Sequence, residues 1–225
     1  MNEREFVYQA RQAVYGLLQR LYYDRPDEAL FDWLTTERPF AQFPVMLPAE
    51  YDADLRLVDE AVQQLSLEDL RQDYRQLYVG PGRMPVPPWE SVYRNEERTM
   101  FDVHTLQVRE TYARHGMEFI KKNKTPEDHV AIELEFMRVL TERLLTTLER
   151  GDEKAEHILL QEQRQFLTGH MLAWLPELSK RTQEFAQTDF YRGLAGVLIG
   201  FLRWDRDMLT QLLDVVTSEP LPSEA

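Results

Sequence analysis

Residues 125–151, TPEDHVAIELEFMRVLTERLLTTLERG, contain the clearest helical pattern of the chain. Apolar residues recur within this stretch every three or four positions, which is typical of an amphipathic helix with one buried face. Thr125 is a good N-cap residue when Pro126 takes the first helical position, and Gly151 is suited to end the helix. The stretch therefore predicts a long helix that begins near Thr125 and ends near Gly151.

The same spacing of apolar residues recurs on both sides of this helix. The predicted buried stripes include Phe6, Leu30, Val58, Leu70, Leu106, Ile158, Phe185 and Leu198. Ser66 and Asp69 have the spacing of a capping box, and Pro176 falls near the start of a later helix. Because no alternating pattern of strand length occurs, we predict an all-α protein. A single helical domain is expected over residues 1–217, followed by a frayed tail at 218–225.

Composition and charge exclude several classes of protein. The 225 residues include 26 basic and 39 acidic side chains, and the resulting net charge of −13 disfavours binding to nucleic acid. With no cysteine, the chain has no disulfide, no thiolate metal site and no cysteine nucleophile. The longest uncharged apolar run, residues 193–202, is too short to span a bilayer, and no secretory signal is visible. We expect a cytoplasmic protein without stable membrane insertion. Its acidic surface suits a basic peptide, although acidity that only keeps a protein soluble is the commoner case.

A proline-rich stretch interrupts the helical pattern in the first half of the chain. Residues 79–93 read VGPGRMPVPPWESVY and contain four of the twelve prolines. This density excludes a regular helix or a central strand and predicts a loop with polyproline-like pieces. Trp89, which follows two prolines, either packs into the core or lies at the end of an exposed apolar loop that binds a ligand. A stiff loop of this kind would lose little conformational entropy when it binds a ligand.

No complete catalytic or metal-binding motif is present in the sequence. None of the five histidines has an acid three positions before it, and no phosphate-binding loop occurs. His129 and Glu133 lie four positions apart, so they can present two ligands on one helix face, and Asp128 is adjacent. A metal-dependent hydrolase that uses Asp128, His129 and Glu133 is therefore one alternative. A permanent structural subunit of an α-helical complex is another.

Two motifs, read together, resemble those of a known family. The first is Tyr78-Val79-Gly80-Pro81-Gly82, which continues through Pro87-Pro88-Trp89-Glu90-Ser91-Val92-Tyr93, and the second is Glu127-Asp128-His129 with Met137. Weaker similarities are Tyr22-Tyr23, the set Phe166, His170 and Trp174, and the run Asp189-Phe190-Tyr191-Arg192-Gly193-Leu194-Ala195. In this combination the chain resembles the TorD/DmsD family of redox-enzyme maturation chaperones, from about residue 15 to residue 205. A NarJ-like protein serving a nitrate reductase is a neighbouring possibility, but the Pro-Pro-Trp loop favours the TorD/DmsD side.

The resemblance implies a single all-helical domain of the TorD-like fold and a cytoplasmic chaperone rather than an enzyme. Such chaperones bind the twin-arginine signal peptide and the immature apo-form of a molybdopterin-containing oxidoreductase, and they delay export until the cofactor is in place. By this analogy, the residues nearest the peptide are Tyr22, Tyr74, Leu77, Pro88, Trp89, Asp128 and His129. The resemblance implies no catalytic residue, no cofactor and no metal. The client enzyme, the choice between monomer and homodimer, and any effect of a nucleotide stay open.

A twin-arginine signal combines a basic segment with an apolar one, so its receptor needs carboxylates beside an apolar groove. We expect Trp89, Leu77 and Tyr74 to line that groove and Asp128 to orient the arginine pair. His129 is expected to be neutral, because the helix dipole disfavours a positive charge at a helix N-terminus. Trp89→Ala and Asp128→Ala are then expected to weaken peptide binding without unfolding the protein.

Overall fold

Helices form nearly all of the regular structure in this computed structural model, which describes residues 3–80, 84–97, 99–118 and 126–218. The helices are α1 Glu3–Tyr23, α2 Glu28–Glu37, α3 Asp52–Gln64, α4 Leu67–Tyr74, α5 Glu90–Arg94, α6 Val103–Arg114, α7 Val130–Arg150, α8 Glu153–Phe166, α9 Leu172–Phe185 and α10 Asp189–Ser218. A short 3-10 turn, Ala49–Tyr51, precedes α3. Within the described ranges there is no strand, and a single isolated bridge pairs Trp89 with His129. The predicted all-α class is confirmed.

Side chains and a glycine begin and end several helices, and two of these signals, the capping box at Ser66 and the stop at Gly151, confirm the prediction. Asp27 caps α2, and Ser66 and Asp69 form both hydrogen bonds of a capping box at the start of α4. The Asp152 side chain accepts a hydrogen bond from the third residue of α8. Gly151 follows α7 with a φ of +65°, a left-handed conformation that glycine adopts without steric cost.

The start of α7 differs from the prediction. Thr125 lies outside the described residues, and the helix begins at Val130 with His129 as its N-cap. The imidazole Nδ1 accepts a hydrogen bond from the Ala131 N–H at 3.1 Å, so it takes the place of a hydroxyl or carboxylate cap. The proline-rich loop is also shorter than the predicted 79–93, because α5 begins at Glu90.

Two wide helical turns of the π type lengthen the helices around them. Arg75–Val79 continues α4, and Leu167–Met171 joins α8 directly to α9. Such turns add one residue relative to α-helical spacing and are frequent at functional sites. Pro176 lies close to the start of α9, as predicted, but the wide turn makes α8 and α9 continuous along the chain.

A buried ion pair connects three helices at the centre of the molecule. Arg11 of α1 and Asp205 of α10 are both fully buried, and the Arg11 Nε lies 2.5 Å from an Asp205 oxygen. The Tyr15 hydroxyl donates to Asp205 at 2.6 Å, and Arg11 also hydrogen-bonds Gln163 of α8. These contacts fix the positions of α1, α8 and α10 relative to one another.

Helix α10 contacts α3, α8 and α9, and its glycines allow α3 to approach closely. A Cβ atom at Gly193 would lie 2.7 Å from the Val58 Cγ2 and 2.8 Å from the Asp54 carbonyl oxygen. Since real Cβ atoms do not come so near, only glycine fits at this contact.

Several apolar residues predicted to be in the core are instead exposed. They are Phe6, Leu106, Ile158 and Phe185, with exposed fractions from 44% to 52%. Phe6, Leu106 and Ile158 lie on the side of their helices away from the buried residues, so an apolar residue at helical spacing does not by itself identify the buried face. None of the described helices combines the length and apolarity needed to cross a membrane. Apart from Ser218, the predicted tail lies outside the described residues.

Candidate functional site

The proline-rich loop and the start of α7 lie side by side. The Glu90 N–H donates to the Asp128 carbonyl at 2.9 Å, and the Val130 N–H donates to the Pro88 carbonyl at 2.9 Å. These two hydrogen bonds form the isolated bridge and join the two sequence motifs, although they are far apart along the chain. The Val86 N–H also donates to the Leu77 carbonyl at 3.1 Å, which connects the described part of the loop to the wide turn after α4.

His129 packs against the indole of Trp89. The two ring centroids are 5.6 Å apart in an edge-to-face arrangement, and both side chains are half-buried. Burial lowers the pKa of the His129 imidazole to about 4. The expected neutral state is therefore confirmed at neutral pH, with burial rather than the helix dipole as its cause. A neutral imidazole is also required for Nδ1 to accept its hydrogen bond in the cap.

Asp128 is fully buried, and both of its carboxylate oxygens are hydrogen-bonded. One accepts from the Ser91 N–H at 2.7 Å, and the other accepts from the Thr105 hydroxyl at 3.0 Å. Burial raises the pKa of this carboxyl, while the hydrogen bonds from Ser91 and Thr105 oppose that shift. The structure thus differs from the expectation that Asp128 faces an arginine pair. Instead, this side chain holds α5 and α6 against the start of α7.

Two other buried carboxylates next to the bridge have their own basic partners. Glu90 contacts Arg94 at 2.6 Å and the His170 Nδ1 at 2.9 Å. Glu127 accepts two hydrogen bonds from the Arg109 guanidinium, each 2.9 Å long. Both acids therefore form internal ion pairs, and neither offers a carboxylate to the surface.

Glu133 is buried deeper, one turn into α7. One oxygen accepts a hydrogen bond from the Trp174 indole at 3.1 Å, and the other has no hydrogen-bond partner among the described residues. Burial, and then the nearby Glu90 carboxylate, raise the pKa of Glu133 well above its ordinary value. We interpret Glu133 as a side chain that holds its proton in the folded protein.

An open groove lies against the outer side of the bridge. It has a volume of about 760 Å³, within the usual range for ligand sites. Its lining is mainly apolar and comprises Met84, Pro87, Trp89, Val92, Tyr93, Thr99, Met100, Phe101, Glu177 and Arg181. The structure therefore places Trp89 on the wall of a surface groove and beside the bridge to α7.

Three of the predicted peptide-contacting residues lie elsewhere. Tyr22, Tyr74 and Leu77 are 0–4% exposed, and the Tyr74 hydroxyl donates to the Tyr22 carbonyl at 3.2 Å. The two tyrosines pack with Tyr78 and Tyr191 in a buried aromatic cluster. They fill the core behind the wide turn and do not line the groove. Pro88 is also buried, so Trp89 and His129 are the most accessible of the predicted set.

A family profile matches most of the region that carries these contacts. Residues 46–180 match the profile described as nitrate reductase delta subunit. The chain belongs to this family. Both sides of the bridge, with the loop and the start of α7, fall within the matched residues.

Proteins similar to this chain include several that are named as chaperones. The chain is 29% identical over 206 residues to a probable Tat proofreading chaperone DmsD of Haemophilus influenzae, covering 87% of this chain and 91% of the relative. It is 28% identical over 159 residues to the chaperone protein TorD of Vibrio cholerae, covering 70% and 69% of the two chains. A solved structure described as a redox enzyme maturation protein, from Archaeoglobus fulgidus, has 20% identity and a TM-score of 0.47 over 93% of this chain and 95% of its own. The resemblance to TorD/DmsD chaperones is confirmed.

The hydrolase alternative is not supported for this family member. Across the described residues, no three His, Cys, Asp or Glu side chains are grouped as ligands for a metal ion. His129 uses Nδ1 in the helix cap, and Asp128 uses both oxygens in internal hydrogen bonds. Glu133 contacts Trp174 in the interior. The three side chains therefore have structural roles in the packing of α5, α6 and α9 against α7.

Sequence reasoning missed several residues of this family member's groove. Met100 and Phe101 are two adjacent apolar residues among polar ones. This pattern indicates apolar side chains on the surface, and it could have identified these two residues from the sequence. Glu177 and Arg181 carried no such signal, because only the packing of α9 brings them to the groove.

Proposed function

We propose that this protein is a cytoplasmic, non-enzymatic chaperone for a molybdopterin-containing oxidoreductase. It binds the twin-arginine signal peptide and the immature apo-form of that enzyme, assists cofactor insertion and delays export. Membership of the family and the chaperone names of its relatives support this class of function. The net charge of −13 favours a basic ligand over nucleic acid.

The observation that carries the proposal is the open apolar groove walled by Trp89. A signal peptide has an apolar segment, and a groove of this kind buries such a segment from water. The wall is already ordered, because the bridge to α7 fixes the backbone on both sides of Trp89. Little conformational entropy is therefore lost when a peptide binds.

The test uses a synthetic peptide with two consecutive arginines followed by an apolar stretch of leucine and alanine. Titration calorimetry on the full chain is expected to give a dissociation constant between nanomolar and micromolar. Trp89→Ala should weaken binding at least about tenfold, since truncation of a central aromatic commonly removes more than 1.4 kcal/mol. Trp33→Ala is the matched control, because Trp33 is 39% exposed on α2 and does not line the groove.

Circular dichroism must first show that both tryptophan variants fold. Equal affinity of folded Trp89→Ala and wild type would remove the binding site from this groove. Copurification from the host separates the chaperone from a structural subunit: the chaperone associates with the precursor, whereas a subunit associates stoichiometrically with the mature enzyme.

A further inference from the structure

Residues 95–97 and 99–102, which follow α5, are held by polar contacts but present apolar side chains. The Asn95 side-chain nitrogen donates to the Thr99 carbonyl at 2.8 Å and to Asp102 at 2.9 Å. The Thr99 N–H donates back to the Asn95 side-chain oxygen at 3.0 Å. Between these contacts, Met100 and Phe101 line the groove with 46% and 48% of their surface exposed. The loop is therefore a preformed apolar edge of the groove.

The backbone of Phe101 is held in an unfavourable conformation. Its φ of 63° lies in the left-handed region, which is uncommon for bulky residues. The hydrogen bonds around Asn95 and the cap that Asp102 gives to α6 hold the loop in this conformation. Strain of this kind is concentrated at ligand-binding sites. Its effect here is to keep an aromatic side chain at the mouth of the groove.

The charge in the groove lining comes from two residues of α9 that do not pair with each other. Arg181 donates to the Pro85 carbonyl through Nε at 2.9 Å and Nη2 at 2.6 Å, and its guanidinium stacks on the Phe185 ring. Glu177, one turn earlier, is exposed and forms no ion pair with any described residue. Since Arg181 is used to hold the proline-rich loop, the Glu177 carboxylate is open to a cation from a ligand.

We infer that Glu177 accepts the guanidinium of a peptide arginine, while the apolar residues that follow it lie against Trp89, Met100 and Phe101. This inference rests on the proposed function and assigns the arginine-binding role to Glu177 instead of Asp128. Charge complementarity supports a basic and apolar peptide as the occupant, because the lining joins an apolar wall to a carboxylate that forms no ion pair with the described residues, while the Arg181 guanidinium is directed at the Pro85 carbonyl and the Phe185 ring. The methionine at the edge adapts to different apolar side chains, so the wall tolerates variation in the peptide.

A double-mutant cycle tests the pairing. The binding of the arginine-containing model peptide and of its Gln-Gln counterpart is measured calorimetrically for wild type and Glu177→Gln. Wild type should bind the Gln-Gln peptide roughly tenfold more weakly, as expected for loss of a charge-assisted hydrogen bond. Glu177→Gln should bind both peptides with nearly the same, weakened affinity. Glu184→Gln, an exposed acid further along α9, is the control and should behave as wild type.

The outcomes separate this inference from the proposed function. If wild type binds neither peptide, the proposed function fails and the inference fails with it. If wild type binds but Glu177→Gln retains the full difference between the two peptides, Glu177 does not face the arginines and only the inference is overturned. An equal effect of Glu184→Gln would indicate a long-range field rather than a contact, which also overturns it. The wild type could also prove to be a dimer that Phe101→Ser dissociates while peptide affinity stays the same. That result would show that a second copy of the chain occupies the groove, and it would overturn the inference.

Discussion

At the scale of single residues, Asp128 determines the position of the groove wall. Replacement by alanine leaves the Ser91 N–H and the Thr105 hydroxyl buried without their partner. We expect Asp128→Ala to lower the free energy of unfolding by about 2–4 kcal/mol, because two buried donors lose their acceptor. Urea denaturation measures this loss.

Asp128→Asn distinguishes a structural role of this carboxylate from a direct contact with the peptide. The amide oxygen can still accept from Ser91, and the amide nitrogen can donate to the Thr105 hydroxyl. Stability and peptide affinity should therefore stay within about 1 kcal/mol of wild type. A folded Asn variant that no longer binds the arginine-containing peptide would show instead that Asp128 pairs with the ligand.

The raised pKa of Glu133 lowers the free energy of unfolding as pH rises. Burial and the Glu90 carboxylate raise the pKa of Glu133 in the folded protein above its ordinary value of 4.5. The unfolded chain releases this proton at lower pH than the folded protein, so this contribution to stability is lost as pH rises above about 4.5. The Tm of Glu133→Gln should therefore rise relative to wild type between about pH 5 and pH 8.

Thermal unfolding at several pH values checks the prediction for Glu133. Glu149→Gln, on the exposed end of the same helix, is the control and should follow the wild-type profile. A difference in Tm between Glu133→Gln and wild type that is constant with pH would contradict it.

At the scale of helices, the contact between α3 and α10 depends on Gly193. A methyl group there would press on the Asp54 backbone and on Val58, and backbone atoms move less easily than a side-chain end. Gly193→Ala should destabilise the protein by about 1–3 kcal/mol. Gly169→Ala is the matched control: its Cβ meets no atom within 4 Å, so stability should be unchanged or slightly higher. The midpoints of chemical denaturation distinguish the two, and equal midpoints would contradict close packing at Gly193.

Helices could be predicted from sequence where capping and periodicity agree. The capping box at Ser66 and the glycine stop at Gly151 identified the boundaries of α4 and α7. The start of α7 could not be predicted, because His129 becomes a cap only when Trp89 and the surrounding chain bury it in its neutral form. Helix α5 was missed because five residues beside four prolines give no periodic signal.

At the scale of the whole molecule, the Arg11–Asp205 pair connects the first and last helices. Asp205→Ala leaves a buried guanidinium without its counter-charge and should cost about 3–5 kcal/mol in thermal unfolding. The double variant Arg11→Met/Asp205→Leu should recover most of that loss, because it removes both charges together. Arg192→Ala, which breaks an exposed pair with Asp189, should cost less than about 1 kcal/mol. A double variant as unstable as Asp205→Ala would contradict this account.

The groove could be predicted only in part, since it is assembled by tertiary packing. The resemblance to a known family placed Trp89 and His129 together correctly, whereas the composition of the residues around His129 gives no such indication. Neither Glu177 nor the burial of Tyr22 and Tyr74 follows from local pattern. An aromatic residue at helical spacing has the same signature in a core as in a ligand site.

The wide turn at Leu167–Met171 sets the rotational phase of everything that follows it in α9. If the same residues were wound with ordinary α spacing and none were removed, the downstream side chains would rotate by about 100° around the helix axis. Glu177 and Arg181 would then leave the groove together, although neither had been altered. Removal of the extra residue together with the wide turn leaves the downstream helix in its present phase. A homologue that keeps these two side chains at the groove must therefore gain or lose the wide turn and the extra residue together.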